Sequence, residues 1–159
     1  MAMAYIALGS NLKQPMLQIK QAIIALADLP QTKLPQHSSL YLTSPVGYDN
    51  QPDFINAVAS LETTLEPSQL LESILDIESS FGRERPFPNA PRVLDLDLLL
   101  YDELVMHTPS LTVPHPRMHL RGFVMLPLAE IAPDLMIPKL GSVVELLAKL
   151  DISDIKKID

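Results

Sequence analysis

The chain contains no cysteine. Disulfides, thiolate metal centres and thiol catalysis are therefore excluded, and the composition fits a reducing compartment. A surplus of positive charge is also missing: 12 Lys and Arg stand against 19 Asp and Glu, for a net charge of -7. Sequence-independent binding of nucleic acid relies on many basic groups to neutralise phosphates, so it is a poor fit. Aromatics make up only 5% of the chain, too few to spread over an RNA-reading sheet. No apolar run is long enough to span a bilayer, and the opening MAMAYIALGSN has neither the basic region nor the apolar length of a signal peptide. These absences predict a cytoplasmic protein without nucleic-acid or membrane partners. The glycine-rich phosphate loops are missing too, both G-x-x-x-x-G-K-[ST] and G-x-G-x-x-G. Any nucleotide must be held by charged side chains and metal. His115 and His119 are four apart, but there is no H-E-x-x-H, and Pro116 breaks any helix between them. Ser10 and Ser68 lack the setting of a nucleophile and read as helix caps.

What is present is enough for one domain, residues 1–159, with a real core: 159 residues, 47% of them hydrophobic. Residues 3–8 read as a buried strand. Gly9-Ser10-Asn11 is a turn with Asn11 as a cap, and a helix follows from Pro15 to about Leu29, where Pro30 ends it. A strand is predicted over 37–43, a loop over 44–53 and a strand over 54–63. Pro67-Ser68 opens a helix that stops at Gly82. After a loop over 83–92, the fourth strand is 93–101. The order strand-helix-strand-strand-helix-strand predicts an α+β, ferredoxin-like βαββαβ core. Its antiparallel sheet would carry both helices on one face and leave the other free. Further helices are expected near 120–130 and 142–150, and Ser153 to Asp159 is expected to fray.

All five arginines lie between Arg83 and Arg121, and all seven lysines lie outside that stretch. Within it runs Val93-Leu94-Asp95-Leu96-Asp97-Leu98-Leu99-Leu100. Side chains alternate along a strand, so the leucines at 94, 96, 98 and 100 face the helices and Asp95 and Asp97 face the open side. The two carboxylates then stand roughly 7 Å apart. An isolated Asp-x-Asp is more often just a solvated strand face. Aspartate is a poor strand former, however, and the neighbouring arginines shift the balance towards a magnesium site. Arg83, Arg85 and Arg92 form a candidate phosphate clamp, since the guanidinium fork suits phosphate. Singly, each arginine is as well explained by surface pairing. His115, stiffened between two prolines, is a candidate phosphate donor, and Arg121 opens a helix within reach of a nucleotide. Arg117 and His119 read as surface residues. Phe54 and Asn56 share one strand face. Together with Phe123 they could enclose a flat heterocycle, although either phenylalanine alone is more safely core.

Leu8-Gly9-Ser10-Asn11, Ser44-Pro45-Val46-Gly47, Phe54-Ile55-Asn56-Ala57, Gly82-Arg83-x-Arg85, Pro91-Arg92-Val93-Leu94-Asp95-Leu96-Asp97-Leu98 and Leu111-Thr112-Val113-Pro114-His115 occur in this order. Together they resemble the 6-hydroxymethyl-7,8-dihydropterin pyrophosphokinases of folate biosynthesis. The resemblance covers residues 4 to about 138, and its Pro-Arg-x-x-Asp-x-Asp block is highly specific. It implies a ferredoxin-like fold and transfer of the β,γ-diphosphate of ATP to the pterin hydroxymethyl group with release of AMP. It implies that Asp95 and Asp97 bind two magnesium ions and that Arg83, Arg92, Asp95 and Asp97 carry the catalysis. ATP contacts fall on Leu71, Glu78, Arg83, Arg85, Arg92, Leu98, Thr112, His115 and Arg121. Pterin contacts fall on Thr43, Ser44, Pro45, Val46, Phe54, Asn56, Asp95 and Phe123. Loops near 10–15, 44–53 and 83–92 would close over the substrates. A monomer is implied. Asn89 stands where the family carries an aromatic, and Phe54 where tyrosine is frequent. The alternative is a ferredoxin-like module that binds a small regulatory molecule, which would leave the two aspartates and the arginine loop idle.

Overall fold

The structure, a computed structural model, describes residues 1–44, 52–82 and 93–159. Its central strand is β1 (Ala2–Ser10), followed by α1 (Pro15–Ala27). Pro15 sits at the start of α1, where its missing N–H costs nothing. Ile19, Ala22 and Leu26 recur at helical spacing and are buried, whereas Leu17 and Ile24 point to solvent. Next come β2 (Thr32–His37) and β3 (Tyr41–Thr43), then β4 (Phe54–Thr63), α2 (Pro67–Phe81) and β5 (Asp95–Tyr101). β4 and α2 begin and end where the sequence predicts. In α2, Leu70, Ile74 and Ile77 form the buried stripe.

The sheet runs β5-β1-β4-β3, with β2 also paired to β4, and the pairings are antiparallel. This is the order of a ferredoxin-like βαββαβ core. The strand predicted over 37–43 is found only in part: β3 holds its last three residues, 38–40 lie in no strand, and β2 runs ahead of it from Thr32 to His37; both β2 and β3 pair with β4. Ser38 explains the break. Its backbone N–H donates to the Val58 carbonyl, but its Oγ replaces a carbonyl as acceptor for the Val58 N–H. Four further strand pieces follow in the chain: β6 (Met106–His107), β7 (Thr112–Val113), β8 (Met136–Ile137) and β9 (Gly141–Ser142). Two helices belong to the same stretch, α3 (Gly122–Ile131) and α4 (Val143–Leu147).

Two cores result, one on each side of the sheet. On the first side, α1 and α2 pack over Ile6, Leu8, Leu61, Leu94, Leu96 and Leu98. On the second, Val124, Met125 and Leu128 of α3 and Val143 of α4 pack over Ala7, Val58, Leu99 and Leu100. Each fully buried aliphatic side chain contributes about 1.5–3 kcal/mol. The expectation of an open second face is thus corrected: α3 and α4 cover most of it. Leu100 is corrected with it. An irregularity in the β1–β5 register between Tyr5 and Ile6 leaves Leu99 between the paired residues Leu98 and Leu100, and Leu100 joins the second core rather than facing α1 and α2.

Residues 153–159 do not fray. Lys156–Lys157 form β10 against β3, the Ile158 N–H donates to the Leu40 carbonyl, and Lys20 pairs with Asp159 at 3.3 Å. The predicted caps differ as well. Gln14 and Glu66 precede the first turns of α1 and α2. Asn11 and Ser10 are instead buried and tied to distant backbone.

Candidate active site

Where α3 leaves the second sheet face uncovered, a cavity of about 530 Å³ opens. The strand register fixes its floor. Gly9 in β1 lies directly between Asn56 of β4 and Asp95 of β5, and Ala7 lies between Val58 and Asp97. Small residues on the central strand keep the floor low. A Cβ on Gly9 would stand 3.3 Å from Asn56 Oδ1 and 4.0 Å from Asp95 Cβ. The two outer strands can therefore project polar side chains over it. Asp95 is exposed and Asp97 half-buried, as alternation along β5 requires.

On the β4 side, the Asn56 amide donates to Thr43 Oγ1 at 2.9 Å, with both side chains buried. This bond directs Asn56 Oδ1 toward the cavity floor above Gly9. Phe54 stands two residues away on the same face, paired with Thr43. On the α3 side, Arg121 precedes the helix and lies 5.9 Å from the centre of the Phe123 ring, within cation–π range. Thr43, Ser44, Phe54, Asn56, Asp95, Asp97, Arg121 and Phe123 all line this one cavity.

Other expected residues stand outside the cavity lining. His115 is half-buried, with its N–H bonded to the Leu99 carbonyl at the back of β5. Burial lowers its pKa from the ordinary value, and the Arg121 and Arg117 guanidiniums add to this against the opposing pull of the Asp97 carboxylate. The ring is thus neutral near pH 7, with Nδ1 accepting from the Arg117 N–H at 3.2 Å and Nε2 left as the donor. Glu78 lies in the last turns of α2, and its carboxylate accepts from the Leu96 N–H at 2.7 Å, bracing the entry to β5. Leu71 is on α2, Thr112 on β7, and Leu98 is buried beneath β5. Arg83, Arg85, Arg92, Pro45, Val46 and Asn89 lie outside the described residues. Arg117 is at the surface as expected, but His119 is not: its Nδ1 is buried without a hydrogen-bond partner among the described residues.

Sequence reasoning missed several parts of the lining, among them Ala7, Leu8, Gly9, Leu120, Gly122 and Val124. Gly9 reads in the sequence as the start of a turn, but β1 runs on through it to Ser10, and a glycine inside a strand commonly marks a close approach. Gly122 and the group Asp151, Asp154 and Ile155 carried no signal, because only the fold brings them to the cavity.

A family model described as 7,8-dihydro-6-hydroxymethylpterin-pyrophosphokinase (HPPK) matches residues 5–133. The 2-amino-4-hydroxy-6-hydroxymethyldihydropteridine pyrophosphokinase of Pseudomonas aeruginosa is 45% identical over 154 residues, which cover 97% of this chain and 95% of that protein. The protein of the same name from Haemophilus influenzae is 46% identical over 147 residues, covering 92% of each. Among solved structures, the Plasmodium falciparum HPPK-DHPS shares the fold with a TM-score of 0.74 at 15% identity; the match covers 94% of this chain but 43% of that one. A ferredoxin-like sheet with these relatives makes the chain an ATP-dependent enzyme of the pyrophosphokinase class. It belongs to the 7,8-dihydro-6-hydroxymethylpterin-pyrophosphokinase family.

Proposed function

We propose that the cavity above Gly9 is where this chain transfers the β,γ-diphosphate of ATP to the hydroxymethyl group of 6-hydroxymethyl-7,8-dihydropterin, releasing AMP. The observation that carries this reading is the convergence of two carboxylates, an aromatic pair and a fixed amide on one cavity. Phe54 and Phe123 suit a flat heterocycle, and Asn56 Oδ1, held by its bond to Thr43, suits the N–H edge of a pterin. Thr43 and Ser44 complete that wall, and Pro45 and Val46 are proposed as further pterin contacts.

Asp95 and Asp97 suit magnesium. They offer hard oxygen donors at a strand pitch of roughly 7 Å, and they leave room for phosphate oxygens and water. The proposed complement is two ions. Magnesium held there by Asp95 and Asp97 would supply charge neutralisation for the triphosphate and polarisation of the attacking hydroxyl. The chain's own residues orient and confine. Arg121 brings a cation to the rim beside Phe123, and His115 offers Nε2–H as a neutral donor. Arg83, Arg85 and Arg92 complete the phosphate clamp, with Leu71, Glu78, Leu98 and Thr112 on the nucleotide side. The hydroxymethyl oxygen attacks the β-phosphorus. The bond from that phosphorus to the α,β-bridging oxygen breaks, and AMP departs. Catalysis here is position and charge, without a covalent enzyme intermediate.

The cavity lining draws on β1, β4, β5, α3 and the segment around 151–155, which supports one domain, and action as a monomer belongs to the same proposal. A cytosolic location is supported by the lack of cysteine and by the absence of a membrane-crossing helix among the described residues. The test is product analysis with MgATP and the hydroxymethyl dihydropterin. AMP formed in equal amount with a diphosphorylated pterin is expected. ADP, or no pterin-dependent product, would refute the proposal.

A further inference from the structure

The segment 151–158 is unaccounted for by the chemistry above, yet Asp151, Asp154 and Ile155 line the same cavity as Phe123 and Asn56. At one end it presses on the start of α3. A Cβ built on Gly122 would stand 3.0 Å from Ile155 Cδ1 and 3.1 Å from Ile152 Cγ2. Gly122 lies between Arg121 and Phe123, so these two isoleucines sit directly beneath the backbone that carries both cavity residues. At the other end, Lys156 pairs with Leu42, Lys157 with Tyr41, and the Ile158 N–H bonds the Leu40 carbonyl. Thr43, the residue that fixes Asn56, is the next residue of that strand. The segment thus joins the two opposite walls of the cavity, the α3 wall and the β3–β4 wall.

We infer that Ile152 and Ile155 are positioning residues for the pterin side of the site: packed on Gly122, they set the separation between Phe123 and the Thr43–Asn56 wall. This rests on the function proposed above. The absence of a side chain at Gly122 gives it a specific reason. A methyl there would intrude on both isoleucines, so the close seating of the segment and the glycine belong together. The carboxylates of Asp95 and Asp97 lie across the cavity on β5, which the segment does not touch through any strand pairing. Loosening the brace therefore acts on the heterocycle before it acts on the phosphates.

The test is a set of three variants, each measured for KM of both substrates, kcat, direct pterin binding by the pterin's own fluorescence, and thermal unfolding. Ile155→Ala should raise the pterin KM and dissociation constant about tenfold, the size of one lost stacking contact. Its ATP KM should stay within about twofold and its kcat should change less than the pterin KM. Ile155→Leu, which keeps the volume, should restore pterin binding. Gly122→Ala, which displaces the isoleucines from the other side without removing them, should weaken pterin binding in the same direction. Equal changes in both KM values, or unchanged pterin binding in Ile155→Ala beside an active wild type, would overturn the inference. A wild-type chain that neither binds pterin nor releases AMP would instead overturn the proposed function, and this inference with it.

Discussion

Gly9→Ala is the sharpest perturbation of the site. The new methyl carbon would lie 3.3 Å from Asn56 Oδ1, tighter than an ordinary carbon–oxygen contact, and 4.0 Å from Asp95 Cβ, which is comfortable. Asn56 must then yield by a few tenths of an ångström. It has little freedom, because it is buried, sits in the middle of the sheet and is bonded to Thr43 at 2.9 Å. Overpacking of this kind costs about 1–3 kcal/mol. Gly9 is not among the positive-φ residues, so alanine also narrows the unfolded ensemble, which returns about 0.4–1 kcal/mol. The net effect on folding is about 0–2.6 kcal/mol, or a fall in Tm of up to about 10 °C for a chain of this size. Binding should suffer as well. If Asn56 Oδ1 loses one hydrogen bond to the pterin, about 0.5–1.5 kcal/mol disappears, which is up to about tenfold in Kd. Thermal unfolding and a pterin binding isotherm measure the two effects separately. Pterin affinity unchanged in a folded Gly9→Ala protein would refute the placement of the heterocycle over Asn56.

Two other predictions concern the walls. Thr43→Val removes the acceptor for a buried Asn56 N–H and leaves it unpaired, at about 1–3 kcal/mol; Thr43→Ser should keep most of the bond, and unfolding curves for the pair decide between them. Glu130 accepts from the Tyr41 hydroxyl, the Ser39 hydroxyl and the Ser39 N–H, tying α3 to β3. Burial pushes its pKa up, but these bonds and the Lys157 charge outweigh burial and hold it below its ordinary 4.5. Its contribution is therefore present above that value and fades as pH falls through the lowered one. Because the carboxylate is partly solvated, Glu130→Gln should lower Tm by only about 2–4 °C at pH 7, and the gap should close as pH falls below 4.5 through the lowered pKa. A gap that widens on acidification would contradict this assignment, and a pH series of unfolding curves reads it directly.

Much of this arrangement is legible from residue order. β4 carries Phe54, Ile55, Ala57, Val58, Ala59 and Leu61 between turn residues, and α2 announces both ends with Pro67 and Gly82. Asp95 and Asp97 are legible for a simple reason: alternation puts them opposite the buried leucines at 94, 96 and 98. The break between β2 and β3 is not legible, because a serine hydroxyl there stands in for a backbone acceptor and leaves no hydrophobic trace. Nor is the covering of the second face, which depends on apolar residues of α3 that pattern alone cannot assign to one face of the sheet or the other. Ser153 to Asp159 reads as a polar, fraying end. The few apolar residues of this region, Ile152, Ile155 and Ile158, gain meaning only against Gly122 and Leu40, partners thirty or more residues away.

The central claim is that the β5 carboxylate pair seats the metal-bound triphosphate over the cavity. The most direct test is the rate of pterin-dependent AMP release by Asp97→Asn, with folding checked by its thermal transition. The substitution keeps size and one acceptor oxygen but removes the charge, so the rate should fall about 10³-fold or more while Tm stays close to wild type. AMP release at a near-normal rate from the folded variant would contradict the account.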